Sequence, residues 1–387
     1  MTVLALNGGS SSIKFALFQA DDLARRSLHG RIDRIGIAGT ELAAAVEGQA
    51  TRRDLPRGDF AAAIDALLGW LDSRDVFAGL TAIGHRVVHG MQRSAPERVT
   101  AALLAELRAV IPFDPEHLPA EIELMAKLLQ RYPRLPQFAC FDTAFHHTMP
   151  RVATQLPLPR RYEELGVRRY GFHGLSYAYL VQRLAALGDP AARSGRAILA
   201  HLGNGASLAA IRDGVSVDTT MGFTPAAGVP MSVRSGDIDP GLLSFFATRE
   251  QMSATRFGRM LTHESGLLGM SETSSDIRDL LRIEGTDSRA AEALALFCQE
   301  IRKRIGAFAA VLGGLDTLVF SAGIGENSPP IRERICANLE FLGVRIDPAA
   351  NAANAAVISS SDSRVTVRVI PTDEEVMIAQ LVLESLR

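Results

Sequence analysis

Two stretches of this chain share one pattern, and the repetition constrains its fold more than any other feature of the sequence. Thr2 to Phe18 runs through Val3-Leu4-Ala5-Leu6, a turn Asn7-Gly8-Gly9-Ser10-Ser11-Ser12, and a second apolar run in which Ile13, Phe15 and Leu17 alternate with Lys14, Ala16 and Phe18. Ala197 to Ile211 repeats the pattern as AILAHLGNGASLAAI, closed by the Asp213-Gly214 turn. A third stretch, Thr317 to Ile335, is expected to run from a strand through a glycine-rich turn into a helix opened by Pro329-Pro330. Such repetition predicts a duplicated α/β architecture. The first turn is more polar than a hairpin requires. Its glycines let the backbone approach a ligand and aim N–H groups at it, and its hydroxyls and Lys14 suit phosphate oxygens. An ordinary Gly/Ser turn would use the same residues. The G-x-x-x-x-G-K-[ST] order of a P-loop is absent, and a strand follows where a P-loop has a helix.

At 387 residues the chain exceeds what one core usually supports, so two domains are expected. A net charge of −2 gives no footprint for nucleic acid or an anionic membrane. The N-terminus lacks a basic stretch followed by an apolar core, and no run of about 18 uncharged apolar residues occurs, so a cytoplasmic protein is expected. Cys140, Cys298 and Cys336 are few, odd in number and widely spaced, which fits core residues in a reducing compartment better than a disulfide or zinc framework.

Several charged residues stand where chemistry is expected. In Ile83-Gly84-His85-Arg86-Val87-Val88-His89-Gly90 the two histidines have a spacing that suits one face of a helix, but the apolar pair between glycines reads as a strand, which argues against a metal pair. Arg86 at a strand end can grip a carboxylate or phosphate, although a surface ion pair is the commoner fate of an arginine. Phe138-Ala139-Cys140-Phe141 reads as a buried strand that delivers Asp142 at its carboxyl end, where open α/β sheets bind ligands; helix capping is the alternative. His173 lies between glycines. Asp218 to Pro225 and Arg234 to Pro240 form no amphipathic element and read as a long functional loop. Asp276 suits a helix cap or a ribose hydroxyl, and Glu374 and Glu375 suit the first turn of the last helix.

The duplicated hairpins and the late Gly323-Ile324-Gly325-Glu326-Asn327 turn resemble the superfamily of actin, the sugar kinases and the Hsp70 ATPase. Within it, NGGSSSIK, GHRVVHG, FDTAFHHTMP, YGFHG, HLGNGAS, DTTMGFTP, RSGDIDP, SSDIRD, AGIGEN and PTDEE resemble the acetate kinase family in order and over essentially the whole chain. The resemblance implies two actin-like, ribonuclease H-like α/β domains with a nucleotide cleft between them, residues 1–145 with 371–387 and residues 146–370, the second carrying a homodimer interface. It implies transfer of the γ-phosphoryl group of ATP to acetate, giving acetyl phosphate and ADP, with magnesium, or manganese in its place, held by Asn7 and Glu374. Ser10, Ser12 and Lys14 become neighbours of the phosphates. Arg86 and Arg234 become the substrate and transition-state arginines, Asp142 the catalytic acidic residue and His173 a transition-state stabiliser. His201, Leu202, Gly203, Asn204 and Gly205, with Asp276, Ile277, Arg278 and Gly323 to Asn327 (Ile324, Gly325 and Glu326 between them), would hold the nucleotide. Val88, Phe172 and Pro225 would line the pocket for the acyl methyl group.

A carboxylic acid has a pKa of about 4, so the nucleophile is already ionised at neutral pH and needs no general base. The obstacle is bringing an anion against a triphosphate, and arginines, a metal ion, a lysine and a hydrogen-bonding histidine answer it. Asp142 is therefore expected to orient an arginine or a metal-bound water. A sugar kinase would need it as a base, and a nucleotide-switched structural protein would hydrolyse ATP without any acid. The chain departs from the family pattern near the acyl site. Pro112-Phe113-Asp114-Pro115 replaces P-L-H-N-P and is one residue shorter, which makes Phe113 the counterpart of a pocket leucine. His89-Gly90-Met91 replaces H-G-G, Ala226-Ala227-Gly228-Val229 replaces L-E-G-L, and Met231-Ser232-Val233-Arg234 replaces M-G-T-R. Propionate or another short-chain acid is the alternative substrate.

Overall fold

A computed structural model describes residues 1–9 and 12–387; Ser10, one of the expected phosphate neighbours, lies outside them. The chain forms two compact units, one of Met1–His147, Gly174–Tyr179 and Asp373–Arg387, the other of Thr148–His173 and Leu180–Thr372.

The first unit is built on strands β1 (Thr2–Gly8), β2 (Ile13–Gln19), β3 (Asp22–Asp33), β4 (Glu41–Val46), β5 (Gln49–Asp54), β6 (Ala82–Val87), β7 (Glu97–Arg98) and β8 (Gln137–Phe141), in the sheet order β5-β4-β3-β2-β1-β6-β8-β7. β1 and β2 pair as the expected hairpin, with Asn7 opposite Lys14, and β6 and β8 run parallel to β1. The continuous apolar run of β1 suits a central strand covered on both faces. Leu4 and Leu6 pack with Ile64, Leu67 and Leu68 of helix Phe60–Asp72 and with Leu124 and Leu128 of helix Leu118–Arg131. Val3 and Ala5 pack on the other side with Met377, Ile378 and Val382 of the last helix, Glu374–Ser385. Gly84 of β6 makes that second packing possible: a Cβ there would stand 2.4 Å from Ile378 Cγ2 and 2.7 Å from Val382 Cγ2. The helix therefore lies directly on β6.

The second unit contains β9 (Arg196–Leu202), β10 (Ala206–Arg212), β11 (Val215–Thr219), β12 (Thr317–Ser321) and β13 (Thr366–Val369), ordered β11-β10-β9-β12-β13. β9 and β10 form the second hairpin, and β12 runs parallel to β9. Helix Ser288–Leu312 lies against β9 and β10 and buries Phe297, Ile301 and Ile305. The glycine-rich stretch after β12 differs from expectation. Ala322–Asn327 is a short helix, followed by helix Pro329–Cys336. Ala322 adopts a left-handed φ of 63° to enter it, and Asn327 Nδ2 donates to Gly323 O across it. The three cysteines are buried free thiols, and no described helix is long and apolar enough to cross a membrane.

Candidate active site

In the first unit the chemistry sits at the carboxyl ends of three adjacent parallel strands. Asn7 lies near the end of β1, Arg86 near the end of β6, and Asp142 one residue past β8. Arg86 donates to Asp142 Oδ2 from both Nε (3.0 Å) and Nη2 (2.7 Å), while its Nη1 reaches Asn7 Oδ1 at 3.4 Å and Nε stands 3.9 Å from Glu374 Oε2. Asn7 Nδ2 donates to Glu374 Oε2 (2.8 Å) and to Glu375 Oε1 (3.1 Å). The close packing of the last helix on Gly84 brings these two acids to the arginine. The Asp142 side chain is wholly buried and that of Arg86 nearly so. Burial pushes Asp142 up to about 6, with Arg86 pulling the other way and Glu374 adding to the rise. The surrounding carboxylates hold Arg86 above its ordinary value despite the desolvation of its own charge. Burial also raises Glu375, opposed chiefly by Lys14.

Lys14 is exposed on β2, and Gly9 N donates to Ser12 O across the first turn at 2.8 Å. Among the described residues no three His, Cys, Asp or Glu side chains converge as a metal cage. Asn7 and Glu374 are nonetheless oxygen donors of the kind magnesium takes when it keeps water and shares substrate phosphates. Val88 is buried, and the Phe113 ring packs on His89 with centroids 5.7 Å apart. Burial lowers His89 to about 4, which keeps it neutral near pH 7.

The second unit assembles a different set. His173 has a left-handed φ of 59°, its Nδ1 pairs with Ser207 Oγ at 2.8 Å, and its ring stacks on His201 with centroids 4.1 Å apart. Gly205 shows how tightly the arginine and imidazole converge. A Cβ there would lie 3.2 Å from His173 Nε2 and 3.7 Å from Arg234 Nη1. The loop carrying Arg234, residues 220–240, contains no helix or strand but is tied down: Gly228 N donates to Asp237 Oδ1, Asp237 N to Gly228 O, and Arg234 Nη1 to Pro225 O. Met221, Val229 and Met231 of this loop are buried, as is Phe172, the residue before His173.

His201 and Leu202 end β9, and Gly203 N donates to Gly205 O in the turn. The turn abuts the helix of Gly323 to Asn327, since a Cβ on Gly203 would meet Ala322 Cβ at 3.6 Å. Asp276 caps helix Ile277–Ile283 by accepting from Arg278 N, and its carboxylate pairs with the Arg278 side chain. That hydrogen bond is the main reason Asp276 sits below the usual carboxylate range. Its own backbone N–H donates to Ser274 Oγ at 3.0 Å.

Three supporting residues escaped the sequence reading of roles. Ser207 closes the HLGNGAS motif, and the nearly continuous buried run of β10 gave no sign that its hydroxyl meets His173. Glu375 had only the signal of an acidic first turn. Arg332 is fully buried and donates to Gly325 O (2.8 Å) and Glu326 O (3.0 Å), and nothing in its sequence context separates it from the neighbouring Arg334.

With the geometry in hand, comparison with known proteins is specific. The family model described as the Acetokinase family matches residues 2–380. An acetate kinase of Methylocella silvestris is 45% identical, covering 99% of this chain and 98% of its own. A propionate kinase of Citrobacter rodentium is 43% identical, covering 98% of this chain and 96% of its own. The crystal structure of Porphyromonas gingivalis acetate kinase superposes with a TM-score of 0.89 at 35% identity, covering all of both chains. The actin-like α/β fold, the repeated strand order and the comparisons agree: the chain belongs to the acetokinase family.

Proposed function

We propose that this protein transfers the γ-phosphoryl group of ATP to acetate, reversibly and by direct in-line displacement, giving acetyl phosphate and ADP. The observation that carries the proposal is the Arg86–Asp142 pair. Arg86 donates to Asp142 Oδ2 from both Nε and Nη2, so this acid holds a guanidinium in place. A carboxylate nucleophile needs an anion grip and no base, whereas a sugar hydroxyl would need the reverse. Arg86 binds and orients the substrate carboxylate. Arg234 and His173 stabilise the charge that spreads over the equatorial oxygens of the transferring group, His173 being held in orientation by Ser207. Asn7 and Glu374 would hold magnesium, which would neutralise charge on the phosphates. Ser10, Ser12 and Lys14 lie by those phosphates, and His201 to Gly205, Asp276 to Arg278 and Gly323 to Asn327 receive the nucleotide.

Val88 and Phe113 of the first unit, and Phe172 and Pro225 of the second, are assigned to recognition of the acyl chain. The departures from the family pattern at Phe113 and at Ala226-Ala227, with the likeness to a propionate kinase, keep propionate as the second substrate. The protein works in the cytoplasm in residues 1–145 with 371–387 and 146–370 as its two domains, and as a homodimer. Support for the dimer comes from helix Gly241–Glu250, which buries no residue and exposes Leu242, Leu243 and Phe245, an apolar face that a second copy would cover. Helix Ser288–Leu312, whose sequence is equally apolar, spends its apolar face inside its own unit.

The test is ATP consumption with magnesium and acetate, propionate, butyrate or no acid, trapping acyl phosphate with hydroxylamine. Acetyl hydroxamate formed fastest supports the proposal, and a propionate preference selects the second substrate. ATP consumed equally without acid, with no hydroxamate, rejects a carboxylate kinase. Sedimentation of the wild type and of Phe245→Asp tests the dimer, which the charge should disrupt.

A further inference from the structure

Two buried acids stand at and just after the Pro112-Phe113-Asp114-Pro115 stretch that departs from the family pattern. Glu121 lies in the first turn of helix Leu118–Arg131 and Asp114 in the turn before it, and each is only 2% exposed. An acid so buried is costly unless its hydrogen bonds are needed. Here the need is visible. The β6–β8 ladder ends at Val87 opposite Phe141, so the N–H of Val88 has left the sheet, and it donates to Glu121 Oε2 at 3.0 Å. Two residues on, Gly90 N donates to Thr143 Oγ1 at 3.0 Å. The segment leading out from Arg86 is thus pinned from the helix side by Glu121 and from the β8 side by Thr143. Asp114 organises the other wall. Its N–H donates to Ile111 O (3.0 Å) to close the turn carrying Phe113, its carbonyl accepts from Leu118 N (3.3 Å), and its Oδ1 pairs with His117 Nδ1 at 2.9 Å.

We propose that Glu121 is a positioning residue that sets acyl-chain selectivity, by holding the Val88 backbone against the Phe113 turn that Asp114 maintains. This rests on the carboxylate-kinase proposal above. Burial raises Glu121 well above the usual carboxylate range, Arg86 opposing and Asp114 and Asp142 adding to the rise. Glutamine keeps the size and a side-chain oxygen that can accept from Val88 N, whereas leucine keeps the volume and loses the acceptor.

The experiment measures kcat and KM for acetate, propionate and ATP in wild type, Glu121→Gln, Glu121→Leu and Asp114→Asn, by hydroxamate formation. Glu121→Gln should stay within about 3-fold of wild type, while Glu121→Leu should raise KM for acetate about 10-fold and shrink the preference between the two acids, with KM for ATP unchanged. Asp114→Asn, which retains the backbone bonds, should move selectivity in the same direction by a smaller factor and serves if Glu121→Leu does not fold. Glu121→Leu raising both KM values alike would mean a merely structural role, and unchanged selectivity in both Glu121→Leu and Asp114→Asn would also overturn the proposal. So would Glu121→Gln failing as badly as Glu121→Leu. Absence of hydroxamate from the wild type with any acid would instead overturn the carboxylate-kinase proposal itself.

Discussion

The two units arrange five strands alike, β3-β2-β1-β6-β8 in the first and β11-β10-β9-β12-β13 in the second, yet they equip the carboxyl ends of those strands differently. The first buries charge: Arg86 against Asp142, with Glu374 and Glu375 on Asn7. The second uses imidazoles, hydroxyls and glycines: His173 stacked on His201 and bonded to Ser207, beside Gly203 and Gly205. The same topology thus supplies a desolvated anion grip in one place and a close backbone approach in another. A buried ion pair stabilises little in net terms but is severely damaged by loss of one partner, whereas a neutral hydrogen bond can be removed cheaply. The two halves should therefore respond to mutation in different ways.

The largest effect is expected from Arg86→Ala. Loss of the grip should lower turnover by about 10³-fold or more. It should also destabilise the first unit by about 3–5 kcal/mol, because Asp142 is left buried without its partner. Arg86→Ala with Asp142→Asn removes the stranded charge. Thermal unfolding should then recover much of the loss while hydroxamate formation does not. A single variant that is inactive but fully stable would break the claim that the first unit's charges are mutually dependent.

Next is Asp142, whose folded value of about 6 sets a pH window. Only the ionised form clamps Arg86 as a carboxylate, so wild-type kcat should fall as pH drops through about 6. Asp142→Asn should be slower by about 10²-fold and flat across that range. The stability sign is opposite. The folded carboxyl holds its proton more tightly than the unfolded one at about 3.9, so its contribution is fully present below that value and is lost as pH rises through about 6. Denaturant titrations between pH 4 and 7 should show that slope in the wild type and a shallower one in Asp142→Asn. An equal slope in both would assign the pH dependence to another group.

In the second unit, Ser207→Ala removes the hydroxyl that orients His173. The loss should be about 10-fold in kcat, with a stability change of about 1 kcal/mol. Because the partner left behind is an imidazole and not a buried charge, the ratio of kinetic to stability damage should exceed that of Arg86→Ala. A large drop in melting temperature for Ser207→Ala would erase the contrast between the units.

How legible all this was in the sequence depends on distance along the chain. Both hairpins could be read because turn and strands lie within about 17 residues, and glycine and alternation are local signals. Arg86 and Asp142 stood out as polar residues ending apolar runs, and parallel strands put such ends together. The bond from Asn7 to Glu374 spans 367 positions and depends on how Gly84 admits a helix, which no local pattern encodes. Likewise, the glycines of Gly323 to Asn327 argued for an open turn. A short helix forms because side-chain bonds, including those of Arg332, satisfy carbonyls that local propensity would leave exposed to water.

That helix gives the smallest expected effect. All the donor nitrogens of Arg332 are used: Nη1 on Gly325 O and Glu326 O, Nε on Asn351 Oδ1 at 2.8 Å, and Nη2 on Asn351 O and Asn354 Oδ1. Two of these bonds end on carbonyls near the C-terminus of Ala322–Asn327, where a cation complements the helix dipole. Burial lowers the guanidinium's pKa without threatening its charge near neutrality. Arg332→Lys keeps that charge but cannot reproduce the planar fork, so the segment proposed to receive the nucleotide should loosen. KM for ATP should rise about 3-fold while kcat and KM for acetate stay put, since neither Arg86 nor Arg234 is disturbed. Equal changes in both KM values would mean that the helix is coupled to the acyl end, and the division of labour between the two units would be less sharp than their side chains suggest.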